Sequence, residues 1–443
     1  MSGQARPNTG DGQNTNVWAI PGVLATLVAV ASAFGAWSLL LPVLPTAVLE
    51  HGGSATLAGG TTGIFMAATV VTQVFTPWML RRFGYRPVMT VAAFMLGVPA
   101  LGHTLGMDAW IVLLFSALRG TGFGAITVAQ SALVAELVPA RLLGKATGLI
   151  GVFIGLSQMV GLPLGLFLAD AFSYNTVFVV AAVVASVAAV MCLRIPALKA
   201  DPAPLADPAA DVAPTPMWKL VAVPALALLT ISMSFGAVSS FLPAAVEDLD
   251  AAAGSVLGGF MLSIVGGASL VFRYLVGMAA DRSGQPGRLL VPSQLLALTG
   301  MALMTATVVF GWPVWLLVLA ALLFGGGFGA VQNESLLAMF QRTPRSKLSE
   351  ASAVWNIFFD TGTGLGSVVF GAVASMFLFS GAFGAGAAVI VLGLVITVAD
   401  RILGIRRGRV TPISFGRPRR QITSGMRRNR RPRRPGFRRS RQK

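Results

Sequence analysis

Phe34-Gly35-Ala36-Trp37-Ser38-Leu39-Leu40-Leu41-Pro42 returns 201 positions later as Phe235-Gly236-Ala237-Val238-Ser239-Ser240-Phe241-Leu242-Pro243. Two further stretches recur in the same order. Arg81-Arg82-Phe83-Gly84 returns as Asp281-Arg282-Ser283-Gly284 at an offset of 200. Gly122-Phe123-Gly124-Ala125, with Pro139 behind it, returns as Gly327-Phe328-Gly329-Ala330 with Pro344 at an offset of 205. One match is within reach of chance in a chain with 51 glycines, but three in register mark a duplication. A repeat this long is a whole folding unit rather than a solenoid module. The chain is two similar halves.

Around the repeats the sequence reads as membrane. It is 55% hydrophobic and only 11% charged, far from the balance of a soluble domain. Twelve apolar stretches approach the length of roughly 20 residues that spans hydrocarbon. In the first half they fall near 17–42, 57–80, 87–106, 110–135, 146–170 and 174–194; in the second, near 218–246, 255–280, 288–311, 313–340, 350–378 and 383–403. A soluble protein would need twelve core helices almost without polar faces. The expected fold class is therefore an all-α membrane protein, with twelve transmembrane helices in two parallel, pseudo-symmetric six-helix halves.

The basic residues set the orientation. Arg81, Arg82, Arg86, Arg141, Lys145, Arg194, Lys199, Lys219, Arg282, Arg288, Arg342, Arg345 and Lys347 all fall in segments on one side of the spans. The segments on the other side carry no Lys or Arg but hold Glu50, Asp108, Glu247, Asp248 and Asp250. Positive charge stays inside, which puts both termini in the cytoplasm and predicts a multi-pass protein of the cell membrane. Trp18, Trp78, Trp110, Trp218 and Trp312 stand at predicted span ends, where amphipathic rings favour the interface.

The reading divides the chain into a cytoplasmic N-terminal tail (1–16), a first six-helix half (17–194), a linker (195–217), a second half (218–404) and a basic tail (405–443). The linker is rich in proline and alanine, which predicts a flexible connection. From Arg406 onward there are sixteen Lys/Arg and no acid, so of the total charge of +17 the rest of the chain nets only +1. Such a tail predicts disorder and attraction to anionic lipid, and nothing in it resembles a nucleic-acid motif. The lone Cys192 excludes an intramolecular disulfide framework. The first twenty residues lack a basic n-region and a cleavage site, so no removable signal peptide is expected and the first span directs insertion.

These residues resemble the major facilitator superfamily of secondary transporters over roughly 17–403. That family carries a cytoplasmic Gly-x-x-x-Asp-Arg-x-Gly signature after its second and eighth spans. The second copy is well kept here as Gly277, Asp281, Arg282 and Gly284, followed by Arg288. In the first copy Arg82, Gly84 and Arg86 are present, but Pro77 replaces the glycine and Arg81 the aspartate. Arg119-Gly120-Thr121-Gly122-Phe123-Gly124 resembles the family's signature in the fourth span, and Gly155, Gly161, Pro163 and Gly165 loosely resemble that of its antiporters in the fifth. The resemblance implies two halves that rock about a central cavity near the bilayer midplane, lined by spans 1, 4, 7 and 10. Trp37 in span 1 is a candidate cavity residue on that basis.

Few ionisable residues fall within the predicted spans, and each costs about 2.5–3.5 kcal/mol at a helix centre on insertion scales. Four stand out: Arg119 in span 4, Arg273 in span 8, Glu334 directly after Gln332 and Asn333 in span 10, and Asp360 in span 11 with Asn356 one turn earlier on the same face. Across the repeat they align with Phe324, Gln73, Ala129 and Gly155, so none is required by the shared scaffold. Asp360 or Glu334 is expected to alternate between protonated and ionised forms, because burial and the approach of an arginine pull a carboxylate in opposite directions. Static arginine–carboxylate pairs are the alternative. Arg119 is expected to contact substrate or a carboxylate, with Gln332, Asn333 and Asn356 in the same cavity, and Arg273 to serve helix packing.

The departure at Arg81 supports a second expectation. In the family the signature aspartate sits against the N-terminal end of a span in the opposite half, where the helix dipole favours negative charge. Here Arg81 stands where the second copy has Asp281, and Glu350 aligns with Lys145 at the starts of spans 11 and 5. Both pairs are inverted together. This predicts cross-half contacts Arg81–Glu350 and Asp281–Lys145, a cytoplasmic gate joined by Arg282 and by Glu136 paired with Arg82 or Arg86.

His51 and His103 carry no assigned role. There is no HExxH, no cysteine pair with metal-ligand spacing and no phosphate-binding Walker loop, so neither a catalytic centre, a metal nor a cofactor is expected. The expected function is secondary active transport by alternating access: proton-coupled antiport that exports a small, partly apolar compound, drug-like or metabolic, from a chain working as a monomer. The alternatives are a proton-coupled importer of an organic anion, held by Arg119, and a non-transporting scaffold whose basic tail recruits partners.

Overall fold

A chain that enters hydrocarbon must satisfy its backbone N–H and C=O groups internally, and a helix does so within one segment. The computed structural model describes residues 16–200 and 216–407, and among these every regular element is a helix. Twelve helices are long and apolar enough to cross a bilayer. The first half contains α1 (Val23–Glu50), α2 (Ala55–Phe83), α3 (Tyr85–Gly97, continued as the 3-10 helix Val98–Leu105), α4 (Ala109–Leu137), α5 (Leu143–Ala171) and α6 (Tyr174–Leu193). The second contains α7 (Met217–Leu249), α8 (Ala251–Ser283), α9 (Leu290–Phe310) and α10 (Trp315–Arg342). The last helical stretch, Leu348–Arg407, breaks at Phe377 and Leu378, so it crosses twice, over Arg345–Ala374 (α11) and Met376–Leu403 (α12). Most of the expected N-terminal tail, the proline-rich centre of the expected linker (201–215) and the basic tail from 408 lie outside the described residues.

Local chemistry sets the junctions. Ser54 caps α2 by accepting from the Leu57 N–H, and Ser173 caps α6 by accepting from the Thr176 N–H. Gly311 closes α9 in the left-handed region (φ 60°), which lets α10 follow after a short turn. Two expected boundaries are corrected. The first span does not stop at Pro42: α1 runs through Pro42 and Pro45 to Glu50. The Thr46 hydroxyl donates to the Pro42 carbonyl at 2.9 Å, one turn back in the same helix. The linker does not begin free at 195. Ile195 and Ala200 are buried in the first half's core, and the Leu198 carbonyl accepts the Tyr85 N–H at 2.9 Å, satisfying a donor at the start of α3.

Each half has its own apolar core. One cluster gathers Leu228, Ile231, Met301, Phe324 and Phe383 from α7, α9, α10 and α12. Its counterparts gather Leu27, Met89, Ile126 and Leu133, and Leu40, Val43 and Phe178, in the first half. The halves meet mainly where α5 faces α8 and where α2 and α4 face α11. We call the end carrying Arg81 and Asp281 the inner end. There α5 and α8 touch backbone to backbone: a side-chain carbon built on Gly148 would lie 3.0 Å from the Tyr274 Cα, and Gly144 and Gly277 each approach the other's carbonyl. Farther out, several helix positions face no neighbour. Side chains built on Gly63 of α2, Gly266 of α8 or Gly364 of α11 would meet nothing within 4 Å. The backbone contacts between α5 and α8 lie at the inner end.

Candidate functional site

The layer that closes the seam is built from equivalent positions of the two halves. On α2, Gln73 is fully buried, and its Nε2 donates to Asp360 Oδ2 on α11 at 2.7 Å and to Thr127 Oγ1 on α4 at 3.3 Å. Its repeat counterpart on α8 is Arg273, whose terminal nitrogen donates to Gln332 Oε1 on α10 at 2.9 Å. Gln332 is the counterpart of Thr127, so the two halves make the same side-chain bridge with different chemistry. Arg273 also lies 5.7 Å over the Trp355 ring, and Trp355 donates to the Gln332 carbonyl. These contacts tie α8 to α10 and α11. Asn356, one turn inward of Asp360, donates to the Ser352 carbonyl at 2.8 Å and across the seam to the Thr127 carbonyl at 3.3 Å.

Facing Arg273 on α5 are glycines where α11 carries these polar groups. Gly151 stands against the Arg273 side chain and Gly155 against Leu270. Their counterparts are Asn356 and Asp360, so one seam is small and apolar while the other holds a half-buried carboxylate.

Inward of this layer the halves are tied by a second matched set. Thr147 on α5 donates to Asn333 Oδ1 on α10 at 2.8 Å, and its counterpart Ser352 on α11 donates to the Val128 carbonyl on α4 at 2.7 Å. At the mouth Arg81 forms an ion pair with Glu350. Asp281 accepts the Gly144 N–H and the Lys145 N–H, each at 2.7 Å. The expected Asp281–Lys145 contact is made through the backbone. Lys145 offers its backbone amide and its ammonium forms no ion pair with Asp281, because the unpaired N–H groups at the start of α5 already provide two well-aligned donors. Arg81 would repel the corresponding end of α11, and Glu350 in its first turn supplies the negative charge instead.

Two other expectations are revised by helix geometry. Successive residues point about 100° apart around a helix. With Arg81 and Asp281 turned to the seam, Arg82 and Arg282 are exposed outside it. Glu136 lies half-buried at the inner end of α4. The same rotation separates the triplet on α10: Gln332 meets α8, Asn333 meets α5, and Glu334 turns to α9. Glu334 is wholly buried and its Oε2 accepts the Leu289 N–H at 3.0 Å, at the start of α9 and within its own half. It caps a helix, whereas Asp360 is bonded across the seam. Gln73 was not foreseen as the partner of Asp360; its alignment with Arg273 was the one signal that pointed to it.

Outward of the layer, aromatic rings recur in both halves. Trp37 stacks on Phe123 at 5.1 Å, with Phe34 edge-on to both and Phe65 tilted against Phe123. Phe235 stacks on Phe328 at 4.4 Å, and Phe359 joins Phe328 to Trp355. Phe34 and Phe123 are the counterparts of Phe235 and Phe328. Arg119 is buried between α2, α3 and α4, donating from Nε to the Leu96 carbonyl at 3.2 Å and lying 5.7 Å over Phe65. It has no carboxylate partner among the described residues. His103 is buried between Phe115 and Phe178.

Comparison with known proteins agrees with this architecture. The multi-drug resistance efflux pump PmrA of Streptococcus pneumoniae is 25% identical over 357 residues, covering 78% of this chain and 87% of PmrA. An uncharacterized MFS-type transporter of Mycobacterium tuberculosis is 31% identical over 173 residues, 38% of this chain, and the match spans only 25% of that relative's length. The solved proton:xylose symporter XylE shares the fold with a TM-score of 0.69 at 14% identity, over 85% of this chain and 95% of that one. A family model described as the Major Facilitator Superfamily matches residues 26–367. With the duplicated six-helix halves and the paired inner contacts, this match establishes that the chain belongs to the Major Facilitator Superfamily.

Proposed function

We propose that the protein is a secondary active transporter that exports a small, partly apolar compound in exchange for protons, by alternating access. The observation that carries this reading is the Gln73–Asp360 hydrogen bond, which puts an ionisable group across the seam outward of the inner contacts. Protonating Asp360 removes its charge and one acceptor site, which weakens its hold on Gln73 and frees the seam to part. Return of the proton to the other side restores the bond. The cation that releases the seam is then the cation that drives transport.

Substrate contact falls to the aromatic rings outward of this layer. Their faces suit planar apolar molecules, and the few polar groups there suit a substrate with one polar end. Both termini lie in the cytoplasm and the chain is embedded in the cell membrane as a monomer, with its basic tail drawn to anionic lipid. The division into a first half, a linker and a second half follows the repeat. Export is supported by the likeness to an efflux pump over most of its length.

The test is cellular accumulation of cationic, neutral and anionic amphiphiles in efflux-deficient cells expressing wild type, Asp360→Asn or an empty vector. Lower accumulation with wild type, lost in Asp360→Asn and abolished by an uncoupler, is the expected result. Export that survives both would overturn the coupling role of Asp360, and higher accumulation with wild type would reverse the direction.

A further inference from the structure

Gln73 has a choice that its counterpart lacks. Arg273, at the same place in the second half, carries only N–H donors, so its bond to Gln332 runs one way. The Gln73 amide carries donors on one side and an acceptor on the other, and a half-turn about its last bond exchanges them. Its Nε2 faces Asp360 Oδ2 at 2.7 Å and Thr127 Oγ1 at 3.3 Å. Its Oε1 is buried without a hydrogen-bond partner, so no bond on that side sets the orientation.

While Asp360 is ionised, its charge keeps Nε2 turned towards it. Once Asp360 takes up a proton, a free amide would turn over and Oε1 would accept the new O–H. The seam would then stay bonded in both protonation states, and the proton would release nothing. Thr127 opposes that turn. A hydroxyl has one proton, and Thr127 spends it on the Gly124 carbonyl of its own helix at 3.0 Å. It therefore presents a lone pair to Gln73 and accepts only from Nε2. Turning the amide would set Oε1 against that lone pair or pull the hydroxyl off Gly124, a loss of about one hydrogen bond.

We propose that Thr127 is a positioning residue: by holding Gln73 as a donor, it makes protonation of Asp360 loosen the seam. This inference rests on the reading of Asp360 as the coupling group. The neighbouring stretches of α2 (55–80), α4 (120–135), α7 (220–246), α9 (290–310) and α12 (376–399) contain no charged residue. At the two ends of that α4 stretch, Arg119 is turned to the Leu96 carbonyl of α3 and Glu136 lies at the inner end. Arg273 on α8 is held by Gln332, and Glu334 on α10 by the Leu289 N–H. On α11 itself, Glu350 is paired with Arg81 ten residues inward of Asp360, about 15 Å along the helix.

The experiment reads the seam at equilibrium, without a gradient. Spin labels at Ala197 and Arg345, both exposed at the inner end and on opposite halves, are placed in full-length Cys192→Ser protein in nanodiscs, and the open fraction is followed against pH. In the otherwise unaltered protein the open fraction is expected to rise as pH falls, and in Asp360→Asn to be independent of pH. Thr127→Val keeps the branched shape and leaves the amide free to turn. Its open-to-closed ratio is expected to match the unaltered protein at alkaline pH and to be about fivefold lower at acid pH, the equivalent of one hydrogen bond. Thr127→Ser, which keeps the hydroxyl, is expected to restore the unaltered profile. An unchanged acid-side ratio in Thr127→Val, a shift of equal size at both ends of the pH range, or a Thr127→Ser profile that follows Thr127→Val would each overturn the proposal and leave Asp360 as the coupling group. No pH response in the unaltered protein, or one that persists in Asp360→Asn, would overturn the coupling reading and the proposal together. If Thr127→Val does not fold, Thr127→Ala takes its place and the same outcomes decide.

Discussion

Replacing Asp281 with alanine removes the acceptor of two backbone N–H groups at the start of α5, each held at 2.7 Å. Both bonds exist only while the inner end is closed, and water takes up the two donors when it opens. The loss therefore falls on one state. Hydrogen bonds to charged groups contribute about 1.5–3 kcal/mol each when buried, and the half-exposed mouth argues for about 1 kcal/mol each. The sum of about 2 kcal/mol moves the equilibrium toward the inner-open state by about 30-fold. Glu350→Ala breaks the neighbouring Arg81 pair, whose side chains are 32% and 28% exposed. A solvated pair of that kind is worth about 0–1 kcal/mol, so its loss shifts the equilibrium by about fivefold at most. The two variants look alike in a diagram and differ in what they remove, a helix cap in one case and a screened ion pair in the other. The assay places a cysteine at Ser352, buried in the closed seam, in a Cys192→Ser background, and follows its reaction with an impermeant maleimide applied to the inner face. Asp281→Ala is expected to accelerate labelling several times more than Glu350→Ala, and raised salt to mimic only the second. Equal acceleration by the two variants would refute the reasoning.

Three further outcomes follow from single positions. Gly148→Leu places a side chain where the Tyr274 Cα and the Arg273 carbonyl would lie 3.0 and 3.2 Å from its first carbon, so the inner ends of α5 and α8 are expected to stand farther apart by spin-label distances; an unchanged distance with full transport would contradict the packing. Glu334→Leu strands the buried Leu289 N–H and is expected to cost about 1–3 kcal/mol in thermal unfolding, whereas Glu334→Gln keeps an acceptor and is expected to stay coupled. A Glu334→Gln protein that folds normally but loses gradient-driven transport would return Glu334 to the coupling path. Leu378 holds φ 58° and ψ −167° at the bend between α11 and α12, so Leu378→Gly is expected to raise the melting temperature, relieving about 1–3 kcal/mol of strain less about 0.5–1 kcal/mol of glycine entropy. No rise would mean that the bend is not strained at this residue.

The repeat made the fold legible, and for a physical reason: duplicated segments in one membrane must solve the same packing problem, so aligned residues occupy equivalent places. The inverted pairs Arg81/Asp281 and Glu350/Lys145 placed the inner contacts at the right four positions. The nature of one contact was not legible, because backbone N–H groups at a helix start are present whatever the side chain and leave no trace in composition. Glu334 read as a functional carboxylate for a similar reason. Its partner is the amide of Leu289, set by how α9 follows α8, and pattern alone does not give the rotation that turns Gln332, Asn333 and Glu334 to three different helices. The apolar run near 17–42 was read as ending at Pro42, yet α1 continues through it to Glu50, as membrane helices tolerate proline among packed neighbours. Arg119 was legible as a charge in a span, while the Leu96 carbonyl it meets was not.

Gly144, Gly148, Gly151 and Gly155 on α5 correspond to Ser349, Ala353, Asn356 and Asp360 on α11. A side chain added at Gly144 or Gly148 meets the α8 backbone, and one at Gly151 or Gly155 meets the Arg273 or Leu270 side chain, so new chemistry on that copy requires α8 to shift or repack. The α11 set already carries side chains, and a change there alters what the seam responds to while leaving its geometry in place. Duplication thus divided labour between two descendants of one helix: one is frozen as a mechanical bearing, and the other is free to be rewritten for a different ion or cargo. Diversification of such a machine is expected to be written on α11 and to leave α5 unmarked.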